Sequence, residues 1–422
     1  MDIYESKEYK RARLGNILSS AFTYFVSLII TDAYLAKLLS YIGFNDALIG
    51  IVSSIVTCSM LFTIPSIFFA HKIKNIKRTA ILILPFHLLL FMSIYTVPFM
   101  NIQTQSKIIL VIIFITIAYA LSSFFGPMTY KWANSAVHPW KIAEFGAVNE
   151  MVSSIGGILF TLMMGFVFDR FERNGNLPAG FMFAAGTIFV LTIFYTVSLM
   201  MMKNTDDDRK KSTVKLSDII ENTFCNKGFR KITLLSCMWN IAQYMIIGFL
   251  GTYKTKELMF SVATIQLLNI IASLSRVVVS IPFGRYSDKN SFLKGIKLAL
   301  YVAAASYIVG SLTTPGTRWM IALYGILNAC CLAGTNQNMM LITYSYVKEE
   351  YISQALAIKN CLSGICGFCA SLLAGKILSA VQANGNLLFG INIYPQQLLS
   401  FISFLICLLI ICYISFVVEK QE

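Results

Sequence analysis

Charge is scarce in this sequence. Of 422 residues only 13% are Asp, Glu, Lys or Arg, against 57% hydrophobic, and the mean hydropathy is +0.69. A chain with so little polar surface cannot enclose itself in water and belongs in a bilayer. Histidine is scarcer still. His71, His87 and His138 stand far apart, with no His/Asp or Glu-x-x-His grouping, which argues against an enzyme and against a resident cofactor. No Gly-x-x-x-x-Gly-Lys-(Ser/Thr) loop appears, so ATP is not used directly by this chain. The ten cysteines lie mostly inside apolar runs as small packing residues. Cys361, Cys366 and Cys369 share one run but have no His or carboxylate nearby, and no metal site is expected.

What is abundant is long apolar sequence. Twelve runs can be drawn, at 14–40, 47–70, 79–100, 108–130, 145–168, 179–202, 232–253, 262–284, 292–312, 318–343, 354–378 and 396–418. About 20 residues are needed to cross a hydrocarbon core as a helix, and unalternated runs do not read as barrel strands. The expectation is an all-α membrane protein of twelve transmembrane helices, joined mostly by short antiparallel turns.

The two ends of the chain resemble each other. Asn149–Asn176 and Lys359–Asn386 are copies of one segment, offset by 210 residues. Identities include Ala147/Ala357, Ser153/Ser363, Ile155/Ile365, Gly157/Gly367, Leu162/Leu372, Gly165/Gly375 and both Asn-Gly-Asn triplets, 174–176 and 384–386. Such duplication predicts two pseudo-symmetric six-helix bundles, residues 1–202 and 232–422. The polar stretch 203–231, with Asp206-Asp207-Asp208-Arg209-Lys210-Lys211, then reads as a solvated cytoplasmic linker.

Basic residues set the orientation. With the N-terminus inside, 24 of 34 fall on cytoplasmic segments and six, Lys107, Arg170, Arg173, Lys254, Lys256 and Arg318, on outer loops. Both termini are therefore expected in the cytoplasm, in a multi-pass protein of the cell membrane. The net charge of +14 reads as a topology and anionic-lipid signal, and no soluble basic domain points to nucleic acid. No cleavable signal peptide is expected, because the first run is long and ends without a small-residue cleavage pattern.

At the end of the eighth run, Phe283-Gly284-Arg285-Tyr286-Ser287-Asp288-Lys289 resembles the Gly-x-x-x-Asp-(Arg/Lys) loop of the major facilitator superfamily. The equivalent loop after the second run, Ala70-His71-Lys72-Ile73-Lys74, has Ala and Lys where Gly and Asp are expected. Together with twelve spans, two halves and a polar linker, the resemblance covers nearly the whole chain. It implies a transporter whose halves rock around a central cavity, with Gly284 and Asp288 latching the cytoplasmic side. The Arg of drug antiporters is missing from 108–128, as is their fifth-helix Gly-Pro pair, and the linker has no sugar-porter signature. The cargo is not marked.

A polar stripe runs along the first span: Asn16, Ser20, Thr23, Ser27, Thr31 and Tyr34 fall within ~80° of arc at helical spacing. At an offset of 220 the seventh span carries Ser236, Asn240 and Gln243, with Tyr24 matched by Tyr244. Since helices one and seven line the cavity in proteins of this resemblance, the substrate residues expected are Ser20, Thr23, Tyr24, Ser27, Asn240, Gln243, Tyr244 and, from the tenth span, Asn336. Small polar residues equally serve ordinary helix packing. Asp32, ~28 Å along from Arg13, is the candidate for proton coupling, although its phase sets it off the stripe. Lys37 reads as an interfacial anchor. Glu150 and Arg276 lie at similar depth, ~9 and ~12 Å in, and with Lys359 are the candidate cytoplasmic gate. Glu150 satisfied by Lys131 is the competing arrangement. Asp169-Arg170 reads as a boundary ion pair.

The expectation is therefore a monomeric secondary transporter moving a small molecule or ion by alternating access, coupled to a proton or cation gradient. An exporter of amphipathic compounds and a non-transporting receptor on the same fold are the alternatives.

Overall fold

The structure, a computed structural model, describes residues 6–69, 73, 75–138, 142–203, 223–348, 351–388 and 391–419. Most of the expected linker, and the 70–74 loop apart from Ile73, lie outside them. Nearly everything described is helix. The principal helices are α1 (Lys7–Ile29), α2 (Asp32–Ile42), α3 (Asp46–Ser53), α4 (Ile76–Thr96), α5 (Thr104–Asn134), α6 (Ile142–Arg173) and α7 (Leu177–Met201). They continue with α8 (Lys227–Tyr244), α9 (Val262–Lys289), α10 (Phe292–Ser311), α11 (Met320–Tyr344), α12 (Ile352–Ala383) and α13 (Pro395–Tyr413). A two-residue antiparallel hairpin, Leu387–Leu388 with Ile391–Asn392, separates α12 from α13.

Among the described residues ten helical stretches are long and apolar enough to span a membrane, and α1 with α2 forms an eleventh, bent by 47°. The remaining expected run, the tenth, forms α11, 25 residues long, whose apolar character is diluted by Asn328, Asn336, Gln337 and Asn338. Helices are required because a backbone in hydrocarbon has only itself to bond to. Their ends follow capping residues more closely than hydropathy. Asn45, Asn75, Asn176 and Asn226 accept from Leu48, Arg78, Ala179 and Phe229, and Ser261 and Ser291 accept from Thr264 and Lys294. A cap of this kind contributes ~1 kcal/mol by satisfying an orphan N–H. Asn226 is why α8 starts at Lys227, five residues before the apolar run does.

The chain divides into two compact units, Met1–Phe44 with Ser59–Ser212, and Asn45–Cys58 with Thr213–Glu422. In the first unit, α1 packs on α6 and α7, and α4 on α5 and α7. The core there is aromatic: fully buried Tyr34 meets Phe168 at 5.1 Å, and Phe168 meets Phe181 at 6.1 Å. Tyr34 Oη donates to the Thr161 carbonyl at 2.9 Å.

In the second unit, α10 packs on α11 and α13, and α8 on α12. The stretch 45–58, the beginning of the second run, also belongs to this unit. Small residues let it approach closely. A methyl on Gly248 would stand 2.3 Å from the Gly50 carbonyl oxygen, and one on Gly375 would stand 2.9 Å from Ile51. Ser54 and Ser371 share a hydrogen bond of 2.7 Å. Asp46 closes the end of the contact, paired with Lys256 at 2.5 Å and accepting from Gln382 at 3.1 Å.

Candidate functional site

The repeat is reproduced in three dimensions. Helices α6 and α12 are each 32 residues long, and their boundaries are offset by the same 210 positions as the sequence copies. Each ends in the same way. Gly175 and Gly385 adopt left-handed φ values of +68° and +67°, which a Cβ would strain. Asn176 and Asn386 then donate N–H to the carbonyls of Phe171 and Val381, five residues back, satisfying carbonyls that the helix end leaves open. The Asn-Gly-Asn triplets are thus twin helix stops.

Inside each unit the first and fifth spans meet through matched residues. A methyl on Gly157 would stand 2.6 Å from the Tyr24 ring, and one on Gly367 would stand 2.8 Å from the Tyr244 ring. Tyr24 itself is 40% exposed. Along α1, Thr23 donates to the Ser19 carbonyl at 2.9 Å and Ser27 to that of Tyr24 at 2.6 Å. These hydroxyls are satisfied by their own helix, presenting lone pairs sideways without a desolvation penalty. Ser20 accepts from Asn149 Nδ2 at 3.0 Å, tying α6 to α1.

The stripe is not continuous. Between α1 and α2, Thr31 is extended and Asp32 takes φ +49°, a region few non-glycine residues enter. Past this break the helical phase is lost. Tyr34 turns into the core of the first unit, so the phase that set Asp32 off the stripe does not apply. Asp32 instead opens α2, where a carboxylate complements the positive end of the helix. The carbonyl of Ile29, last residue of α1, accepts from Tyr95 Oη at 2.7 Å. Lys37 forms an ion pair with Glu172.

In the second unit Asn240 donates to the Ser236 carbonyl at 3.0 Å. Gln243, only 9% exposed, makes no side-chain hydrogen bond among the described residues. Asn336 is exposed on α11, and Asn338 donates to Ser287 at 2.8 Å. Lys359, 4% exposed, donates to the Met339 carbonyl at 2.6 Å and to Thr343 Oγ1 at 2.8 Å. It makes no ion pair among the described residues, so its charge is held by neutral oxygens near the end of α11. Helix C-termini favour a cation there.

The remaining gate candidates are dispersed within their own units. Glu150 is exposed on α6 and Arg276 half-buried on α9, and neither forms an ion pair among the described residues. Lys131 therefore does not neutralise Glu150. The stretch 283–289, expected as a loop, is the last part of α9, and nothing lies within 4 Å of a methyl on Gly284. Gly284 therefore marks no turn, since the helix runs on to Lys289. Asp288 lies in the same helix, and its side chain is outside the described ones. Asp169, expected in a boundary ion pair, is 4% exposed and flanks Tyr34, as Asp32 does. Its place four residues after Gly165, within the repeat, was the available signal.

The sequence profile of the major facilitator superfamily matches residues 14–371. The chain belongs to the major facilitator superfamily. No curated protein matches it closely enough to report. Among solved structures it is similar to the nucleoside transporter NupG, with 13% identity, 97% of this chain and 99% of that one covered, and a TM-score of 0.66. A bacterial homologue of the human lysosomal transporter Spinster gives 12% identity, coverage of 98% and 96%, and a TM-score of 0.68. A bacterial homologue of the iron transporter ferroportin gives 14%, 96% and 97%, and 0.66. At such identities the likeness establishes the fold alone. Superfamily membership makes this a multi-pass membrane transporter of small molecules and not an enzyme.

Proposed function

We propose that the protein is a secondary active transporter that moves a small solute by alternating access, driven by a proton or cation gradient. The observation that carries this reading is the twinning of the two units, with Tyr24 on Gly157 and Tyr244 on Gly367. Equivalent halves are what an alternating mechanism requires, since each state uses the same joint from opposite sides. Both termini are placed in the cytoplasm by the basic-residue bias, and the chain is read as a monomer of the cell membrane.

Ser20, Thr23, Tyr24, Ser27, Asn240, Gln243, Tyr244 and Asn336 are proposed to meet the substrate. Among them Gln243 is first choice, because its amide makes no side-chain hydrogen bond among the described residues and so keeps both a donor and an acceptor for a solute. Asp32, at a broken helix, is the proposed proton carrier. Glu150, Arg276, Lys359, Gly284 and Asp288 are proposed to govern the cytoplasmic opening, Glu150 and Arg276 by pairing when it closes.

Counterflow in proteoliposomes tests the whole reading. Purified protein should exchange a labelled solute across the bilayer, and a protonophore or cation ionophore should collapse accumulation without stopping exchange. Binding without exchange across a metabolite panel would convert the reading to a receptor. For the gate, single charge reversals at Glu150 and Arg276 should each abolish net transport and the double reversal restore it. Additive losses would remove the pair.

A further inference from the structure

One cavity of the second unit is untouched by the transport reading. It has a volume of about 560 Å³ and is lined by Tyr286, Ser291, Lys294, Lys297, Leu298, Tyr301 and Glu419. Lys294, Lys297, Leu298 and Tyr301 follow i, i+3, i+4, i+7 spacing and form one stripe on α10. Tyr286 comes from the end of α9, and Glu419 from beyond α13.

The groups in it differ in how far they are already satisfied. Lys297 pairs with Glu419 at 3.1 Å, so these two charges cancel. Ser291 is committed to capping α10. Lys294 is exposed, and neither it nor the hydroxyls of Tyr286 and Tyr301 has a hydrogen-bonding or ionic partner among the described residues. The open valences are thus two O–H donors and the Lys294 ammonium, which carries the lining's net charge of +1. That set suits a singly charged oxyanion.

Depth makes the ligand amphipathic. From Lys294 to Tyr301 the stripe descends ~10 Å along α10, from the helix start toward the hydrocarbon. Leu298 and Tyr301 are exposed at its deeper end, with relative accessibilities of 38% and 53%. In the first unit Lys77, which matches Lys297 at an offset of 220, instead donates to the carbonyls of Met200 at 2.9 Å and Met202 at 2.5 Å and so closes the end of α7.

We propose that this cavity is a binding site for an anionic phospholipid, its phosphodiester on Lys294, Tyr286 and Tyr301 and its glycerol and first acyl carbons along Leu298. The bias of basic residues assigns this end of α10 to the cytoplasmic leaflet, where anionic lipid and exposed Arg285 and Lys289 favour the same occupant.

The test is thermal unfolding of the purified full-length protein in a neutral detergent, titrated with phosphatidylglycerol, phosphatidylcholine or soluble glycerol 3-phosphate. Phosphatidylglycerol should raise the melting temperature saturably and the other two should not. Lys294→Gln should weaken its apparent affinity about fivefold, with Lys294→Arg close to the parent. Glu419→Gln, which frees Lys297, should strengthen it by a similar factor. Equal stabilisation by phosphatidylcholine, equal stabilisation by glycerol 3-phosphate, or an unchanged response in both Lys294→Gln and Glu419→Gln would each overturn the proposal. Because Lys294 is exposed and Glu419 lies past the last long helix, both variants should fold.

Discussion

The two units use one joint and fill it differently. In both, a tyrosine of the first span lies on a glycine of the fifth, and the fifth span ends in a left-handed glycine between two asparagines. About two turns below the joint they part. The first unit has Asn149, whose Nδ2 donates across to Ser20 while its buried Oδ1 has no partner among the described residues. The second has Lys359, which turns to α11 and spends its donors on Met339 and Thr343. Duplication preserved what the backbone needs, which is close approach and a clean helix stop. It did not preserve the polar group beside them, and there one half acquired a buried positive charge that the other lacks.

That comparison can be broken at several strengths. The largest effect should come from Gly248→Val, because the obstacle is the Gly50 carbonyl oxygen and backbone does not swing aside. We expect loss of the monodisperse folded peak in detergent gel filtration. Next, Gly157→Ala and Gly367→Ala should each destabilise by about 1–3 kcal/mol through overpacking against a tyrosine, with Gly126→Ala, where nothing lies within 4 Å, as the neutral control. Unequal melting shifts for the first two would deny that the joints are equivalent. Lys359→Asn gives the second unit the residue of the first. It should cost about 2 kcal/mol for two charge-assisted bonds and abolish transport in the counterflow assay, whereas Asn149→Ser should leave transport measurable. A double-mutant cycle on Asp46 and Lys256 should return about 0.5 kcal/mol, since that pair is partly exposed. Smallest of all, Glu172→Gln at the rim should move the melting temperature within error of the parent.

Much of the fold was legible because hydrocarbon imposes long apolar runs and leaves helix as the only spanning form for them. The repeat was legible because Gly157, Gly367 and Gly375 stand where a side chain would crowd a neighbour and Gly175 and Gly385 take the left-handed turn that stops each helix. The break after Ile29 was not, as neither glycine nor proline marks it. It rests on Asp32 accepting a left-handed backbone and on a tyrosine sixty-six positions away supplying a hydrogen bond. Helix ends went unseen where an asparagine or serine cap carries a helix past its apolar stretch, as at Asn226. The surroundings of Lys359 were invisible for a related reason: its partners are a carbonyl and a threonine, and a carbonyl has no signature in a list of side chains. Gly284 misled in the opposite direction, because a family motif suggested a turn where the local sequence simply continues a helix.

Tyr95 gives the break in the first span a meaning of its own. With its hydroxyl on the oxygen where α1 stops, a carbonyl freed by the break is satisfied without water. A rod that bends dry can keep its angle while its lower arm tilts, in the way a pinned hinge differs from a torn one. Pulling that pin with Tyr95→Phe would leave the elbow seeking solvent. The leak of protons or ions that follows should be measurable in liposomes holding no substrate at all.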